Sequence, residues 1–378
     1  MAGRAPPATM RPMQPAQPQD AIRLAAVGDL LMIDDPASGR PARRESLVDD
    51  NLHRLLGDCD VVFANLECTL SGDGKTVPTE PRVVASAEQV RRIRAAGVTV
   101  VTLANNHMFD CMQAGFHALR DLLDELGIAH FGAGDDLDQA AAPAIVEARG
   151  CRFAFLAGVD ERSGPSRLAA PGQYGVAPLD MDRLTHQIAE LSRTVDHGIV
   201  SLHWGEERFN IPSPGQIAQA RALIDAGASM VLGHHPHVLQ GLERHRDRPI
   251  LYSLGNFLAD PVPFSDGDTM HWNRTERVGC ILLADLSPTG ITNTCQVPTH
   301  DDGLAVVLDR TGFGDRRLAR VNRALARGVT LARYRREHFR VKTVRPALAH
   351  LRWSKLRALG PRKLLRALCS ACSASRAD

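Results

Sequence analysis

The sequence predicts a layered α/β fold. Three observations carry that expectation: short β-rich apolar runs recur from Ile22 onward, segments of helical spacing lie between several of them, and a glycine closes three of those segments. Alternating strands and helices bury their apolar faces by packing in layers around one core. The expected strands are 22–27, 61–64, 98–103, 153–157, 199–202, 230–232, 250–253 and 280–284, and the expected helices include 87–96, 116–126, 181–191 and 216–226. Gly97, Gly127 and Gly227 each follow a helical stretch, where glycine favours a left-handed cap. Neither an internal repeat nor a G-x-x-x-x-G-K-S/T phosphate loop is present, which removes the P-loop nucleotidases from consideration.

A chain of 378 residues is long enough to bury a large core without disulfides or structural metal. Its eight cysteines are scattered at 59, 68, 111, 151, 280, 295, 369 and 372. Most sit in apolar stretches, where a reduced thiol behaves as a small core residue, so a reducing compartment is expected. Cys369-x-x-Cys372 has no second Cys or His pair at zinc-finger spacing. No run reaches the roughly 18 apolar residues of a membrane helix, and the first 20 residues carry no apolar run for a signal peptide. The expected location is cytoplasmic, with no membrane span.

Three regions are expected: a disordered Pro- and Gln-rich segment at 1–20, a catalytic domain at 21–305, and a basic helical extension at 306–378. The net charge of +2 conceals an asymmetry, because residues 316–378 hold 18 Lys/Arg against only Glu337 and Asp378. That region is net +16 and the remainder net −14. A basic tail on an acidic body is open to several readings: a solvated helix face, intramolecular docking, an acidic partner, nucleic acid or anionic lipid. A peptide substrate, a precursor peptide among the candidates, is the partner expected, and no nucleic acid.

Five strand ends carry polar clusters. They read Gly28-Asp29, Asn65-Leu66-Glu67, Asn105-Asn106-His107 with Asp110 beyond, His203-Trp204-Gly205-Glu206-Glu207, and Gly233-His234-His235-Pro236-His237. Functional groups in α/β sheets gather where strands run out into loops. Any one of these residues could cap a helix, brace a turn or pair with an arginine, but two-sided burial gives no reason for polar groups at five successive strand exits. Carboxylate, amide and imidazole together suit a divalent cation such as Mn, Fe or Zn, or Ca if oxygens dominate. The candidate ligands are Asp29, Glu67, Asn106, His203, His235 and His237.

Over about residues 21–300 these motifs, with Ser253-Leu254-Gly255-Asn256-Phe257, resemble the successive motifs of CapA-type poly-γ-glutamate capsule proteins. The resemblance implies a four-layer αββα sandwich similar to the calcineurin-like metallophosphoesterases, with metal at the strand ends. The chain departs from the phosphoesterase pattern in three places. Leu31 stands where the first strand end usually offers a second ligand, Glu67 replaces a bridging Asp, and Asp110 follows the Asn-His pair at a longer spacing. A single ion is therefore expected rather than a two-metal clamp.

Groups released from metal binding would be free to move protons. His107 with Asp110 is expected to form one His–carboxylate pair, and His203 or His235 with Asp29 or Glu207 a second. Two such pairs around a cation suit Cα deprotonation and reprotonation. The family resemblance extends to lasso-peptide epimerases, so the leading expectation is L-to-D epimerisation of a residue in a ribosomal precursor peptide. A metal-dependent hydrolase of a phosphoester or γ-glutamyl bond, and a non-catalytic scaffold, are the alternatives. Trp204, Glu207 and Asn256 are expected on the substrate side, Asn256 as a brace, and His300-Asp301 is a candidate to fold back onto the site.

Overall fold

The computed structural model describes residues 21–34 and 43–346. The segment expected to be disordered at 1–20, and the end of the tail with Cys369 and Cys372, lie outside the described residues. Two sheets form the middle of the molecule. The first begins with β1 (Ile22–Leu31), β2 (Val61–Leu66), β3 (Val100–Thr102) and β4 (Ala129–Phe131), all parallel. The second holds β5 (Ala144–Ala148), β6 (Cys151–Val159), β7 (His197–His203), β8 (Met230–His234), β9 (Leu242–His245) and β10 (Arg248–Leu251). Its order is β9, β10, β8, β7, β6, β5, with β6, β7, β8 and β10 parallel. The chain then returns to the first sheet as β11 (Asn256–Ala259), β12 (Val278–Ser287), β13 (Gly290–Asp301) and β14 (Val306–Leu308). That sheet runs β14, β13, β12, β1, β2, β3, β4, with β11 also paired to β1.

Helices α1 (Asp50–Gly57), α2 (Ala87–Ala95) and α3 (Met112–Glu125) join the core of the first sheet through Leu52, Val90, Ile93, Phe116 and Leu119. Helices α4 (Met181–Leu191) and α5 (Pro214–Ala226) cover the second sheet, where Leu184, Ile188, Leu223 and Ile224 pack on Ala154, Leu156, Val200 and Leu202. The alternate residues of β6, Phe153, Phe155 and Ala157, turn the other way into the core shared with the first sheet, as the period of two in a strand requires. Phe155 stacks on Phe63 at 5.9 Å between the sheets, and Phe131 lies 5.8 Å from Phe155. The four-layer αββα sandwich expected from the sequence is the architecture found.

Local chemistry sets the element ends. Ser86 with Gln89 and Ser213 with Gln216 form reciprocal capping boxes at the starts of α2 and α5, and Pro214 occupies the first turn of α5. Gly97, Gly127 and Gly227 all take positive φ where those helices stop. The first sheet also runs past residue 305, because β14 pairs with β13. Two further helices, α6 (Phe313–Ala326) and α7 (Leu331–Phe339), follow. Leu318 and Val321 of α6 pack on Leu239, Val278 and Cys280.

Strand β1 changes neighbours along its length. Ile22–Ala26 pairs antiparallel with β12, whereas Asp29–Leu31 pairs parallel with β11. The change falls at Val27-Gly28, where the register against β2 also shifts. Gly28 is required there, because a Cβ would stand 1.9 Å from the Gly255 carbonyl oxygen. Past this irregularity Asp29 re-enters both ladders, opposite Asn256 and Asn65.

Candidate metal centre

The C-terminal ends of the parallel strands of both sheets meet at one edge of the sandwich, and the polar clusters come together there. Asp29 lies near the end of β1, Glu67 follows β2, Asn106 lies beyond β3, His203 ends β7, and His235 and His237 follow β8. Three groups of potential ligand atoms lie within 4.8 Å of one another: Asp29, Glu67 and His237; Glu67, His203 and His235; and Glu207, His235 and His237. Glu67 belongs to the first two and faces both. Its Oε1 stands 3.5 Å from His237 Nε2 and 3.8 Å from His203 Nε2, too far for hydrogen bonds. Those separations are close to the roughly 3.0–3.5 Å between neighbouring ligands of one ion with bonds of about 2.1 Å. The expected single-ion arrangement is thus not the only one the residues allow, since Glu67 can serve two adjacent positions.

Burial makes these groups ready for a cation. Glu67 is 0% exposed and its Oε1 has no hydrogen-bond partner; His203 Nδ1, His234 Nε2 and His235 Nδ1 are likewise buried without one. Buried polar atoms are almost always satisfied, so four orphans in one cluster fit an ion-binding role. Burial drives the Glu67 carboxyl well above the ordinary carboxylate range, outweighing the nearby His237. Burial likewise pushes His203 well below the ordinary imidazole range and His235 down to about 4. Both therefore present neutral rings with free lone pairs at neutral pH. His237 is the exception: despite burial, Glu67 and Asp29 raise it to about 10, so a proton stands where two carboxylates and an imidazole would otherwise share a cation.

Asp29 is the organiser of this edge. Its Oδ1 accepts hydrogen bonds from Asn65 Nδ2 at 2.9 Å and His234 Nδ1 at 2.8 Å, and its Oδ2 accepts from the His235 amide at 3.3 Å. His237 Nδ1 lies 3.3 Å from the same Oδ2. Burial alone would raise the Asp29 carboxyl, but the His234 and His237 imidazoles more than offset it and hold it below the usual range. His235 and His237 both take positive φ, 90° and 54°. Non-glycine residues there cost about 1–3 kcal/mol each and persist only where the surroundings impose them; the Asp29 contacts and the rigid Pro236 between them do so.

A second assembly adjoins the first. His107 Nδ1 lies 2.8 Å from Asp110 Oδ2, which also accepts from the Val83 amide, while Ser166 Oγ donates to Oδ1. With Nδ1 protonated toward Asp110, His107 Nε2 accepts from the Asn106 amide at 3.2 Å. The Asn106 Oδ1 in turn meets His203 Nε2 at 2.8 Å. Asn106 therefore couples the His107–Asp110 pair directly to the ligand cluster.

Several expectations need correction. No hydrogen bond joins the side chain of His203 or His235 to Asp29 or Glu207 among the described residues; the imidazoles on Asp29 are those of His234 and His237. Trp204 does not face a substrate. It is fully buried on the helix side of the second sheet, stacked on Tyr252 and donating to the Tyr252 carbonyl, because adjacent strand residues point to opposite faces. Asn256 is a brace alone: it is fully buried, accepts from His237 Nδ1 at 2.9 Å and donates to the Glu276 carbonyl. Glu207, half-buried, stands in the third ligand group. Asp301 turns away and forms a two-bond pair with Arg43. Asn65, Asn105 and His234 were not singled out, yet Asn65 links Asp29 to Glu67 and Asn105 links Asn65 to the His107 amide. Their place within the same motifs was the available signal.

No described helix is long and apolar enough to cross a membrane. The chain is similar to the capsule biosynthesis protein CapA of Bacillus anthracis, 37% identical over 47% of this chain and 44% of that protein. It is similar also to the PGA biosynthesis protein CapA of Bacillus subtilis, 30% identical over 64% of each chain. It thus spans less than two thirds of the length of either relative. Among solved structures, a putative 5'-nucleotidase from Staphylococcus aureus superimposes with a TM-score of 0.46 at 12% identity, over 75% of this chain and 55% of that one. The family model described as bacterial capsule synthesis protein PGA_cap matches residues 23–261, a span that contains every ligand candidate above, and the chain belongs to that family.

Proposed function

We propose that this chain is a metal-dependent hydrolase that cleaves a γ-glutamyl or related amide bond in an acidic peptide chain. One observation carries the reading: among the described residues, His107–Asp110 is the only His–carboxylate hydrogen bond beside the ligand cluster whose acid does not also hold a ligand residue. A single free acid/base group next to a cation is what hydrolysis needs, whereas epimerisation needs two. The resemblance to capsule and PGA biosynthesis proteins supplies the substrate class.

Asp29, Glu67, Asn106, His203, His235 and His237 would hold a divalent ion, which when bound would supply Lewis acidity and a water of lowered pKa. The imidazole content favours Mn, Fe or Zn over Ca. The protein's own part is positional and protonic. Asp110 fixes the His107 tautomer with its proton on Nδ1, which leaves Nε2 free to take up a proton and pass it to the leaving amine. Asn106 orients that ring, and Glu207 at the half-buried margin meets the incoming chain.

The test is incubation of full-length protein with γ-glutamyl oligopeptides and, in parallel, p-nitrophenyl phosphate. Release of glutamate that EDTA abolishes and Mn or Zn restores is expected, with His107→Ala slower by about 100-fold or more at unchanged metal content. Metal-loaded protein that cleaves neither substrate would overturn the reading. Epimerisation remains a second reading on one observation, the Asp29–His234 contact, which makes another His–carboxylate pair. It ranks behind because His234 Nε2 is sealed from solvent. Gain of one deuterium at Cα in heavy water without cleavage would select it.

A further inference from the structure

Helices α6 and α7 and the π-helical turn at Arg340–Val344 enclose a cleft of about 310 Å³ against Phe209, Asn210 and Ile211. Arginines line it: Arg317, Arg320 and Arg327 from the α6 side, Arg336 from α7, and Arg345 beyond. Among the described residues, none of these five guanidiniums has a carboxylate partner. The one acidic residue in the lining, Glu337, is taken by Arg340. Arg317 is half-buried and the other four stand exposed around the cleft, whereas the half-buried Arg43 is paired with Asp260 and Asp301 and Arg23 with Asp285. A concavity lined by charges of one sign focuses a positive potential that attracts an anionic ligand. Burial, with the charges of Arg320 and Arg345, lowers the pKa of the Arg317 guanidinium accordingly.

The cleft adjoins the metal centre through one loop. Phe209 packs edge-on against Tyr334 and His338 of α7, Lys342 donates to the Glu207 carbonyl, and Lys342 and His338 approach Glu206. Glu207 itself belongs to a ligand group. A chain lying in the cleft therefore emerges at the margin of the site.

We propose that this arginine cleft is a docking subsite for a carboxylate-rich peptide chain, gripping an acidic substrate outside the metal centre. The proposal rests on the acidic substrate class put forward above. Guanidinium forks match carboxylates in geometry and charge, and five of them spread from α6 to beyond the π-helical turn suit a ligand with several spaced charges better than one small ion. The lining has no exposed aromatic platform of the kind that single-stranded nucleic acids stack upon. The family match ends at residue 261, so every arginine of the cleft lies in sequence beyond it, packed against a wall at residues 209–211 that lies within it.

Fluorescence anisotropy of labelled hexaglutamate with the full-length protein tests this. Binding that weakens with added salt is expected, reduced about tenfold or more in Arg320→Gln/Arg336→Gln. Both residues are exposed, so the variant should keep the wild-type melting temperature, and Arg327→Gln, also exposed, gives an independent check. EDTA treatment and His107→Ala should leave binding unchanged. Equal affinity in the arginine variants, or displacement by inorganic phosphate or an oligothymidylate at matched charge, would overturn the subsite. Arginine-dependent binding without cleavage would instead sink the hydrolase reading and leave the subsite standing. Cleavage with arginine-independent binding would do the reverse.

Discussion

Glu67 shows how much a single residue can decide. Its carboxylate is fully buried, its Oε1 has no partner, and it faces imidazoles on two sides. Glu67→Gln should therefore act in opposite directions in the two states. Without metal it removes a buried carboxyl whose ionisation burial opposes, and should leave the melting temperature equal or higher; with metal, affinity should fall by about tenfold or more. Calorimetric metal titration beside thermal melts of the stripped protein checks both, and a lower melting temperature in the stripped variant would count against an unpaired Glu67. At this scale the sequence was informative about identity and poor on direction. Polar residues at strand exits were visible as such, but whether Asn256 met substrate or braced His237 depended on a packing partner in another strand. Trp204 was readable in principle, since a residue following His203 on a strand must face the other way.

At the level of elements, two contacts make measurable commitments. Gly28 lies where β1 leaves β12 for β11, and Gly28→Ala should destabilise by about 3 kcal/mol or more, because its methyl meets backbone rather than a movable side chain. Urea unfolding measures it, and a loss under 1 kcal/mol would mean that the strands can separate at little cost. Asp301 on β13 pairs with Arg43 and accepts from the Ala259 amide. Burial opposes its ionisation, but the Arg43 pair prevails and holds its carboxyl below the usual range. Its contribution to stability is thus present above the ordinary aspartate pKa and lost as pH falls through the depressed folded value. Asp301→Asn should cost about 3 kcal/mol at neutral pH and flatten the acid limb of a stability–pH curve. Most elements were legible from apolar runs and caps, including the α2 and α5 starts. Strand β5, which alternates half-buried and exposed, and β13, with its polar Thr-Asn-Thr stretch, were not. The edge strand β5, and the part of β13 that β14 does not reach, bury too little apolar surface to announce themselves.

Across the whole molecule the four layers depend on the aromatic contact between sheets. Phe155→Ala, which removes the ring between Phe63 and Phe131, should cost about 3–5 kcal/mol by chemical denaturation. Layer order was inferred from motif resemblance, not periodicity, because an apolar run does not reveal which of two sheets it joins. The charge asymmetry was visible in composition, whereas the cleft that concentrates it required the fold of α6 over α7.

The candidate ligands come from both sheets: Asp29, Glu67 and Asn106 from one, His203, His235 and His237 from the other. An ion bound among them is also a cross-link, tying together two halves whose remaining contacts at that edge are polar. Occupancy and cohesion of the sandwich then become linked equilibria, and free metal at about 100 times its dissociation constant should add about 2.7 kcal/mol to unfolding. Chelation would loosen the sandwich from its rim inward, detectable as faster amide exchange in β1 and β8 before any global unfolding.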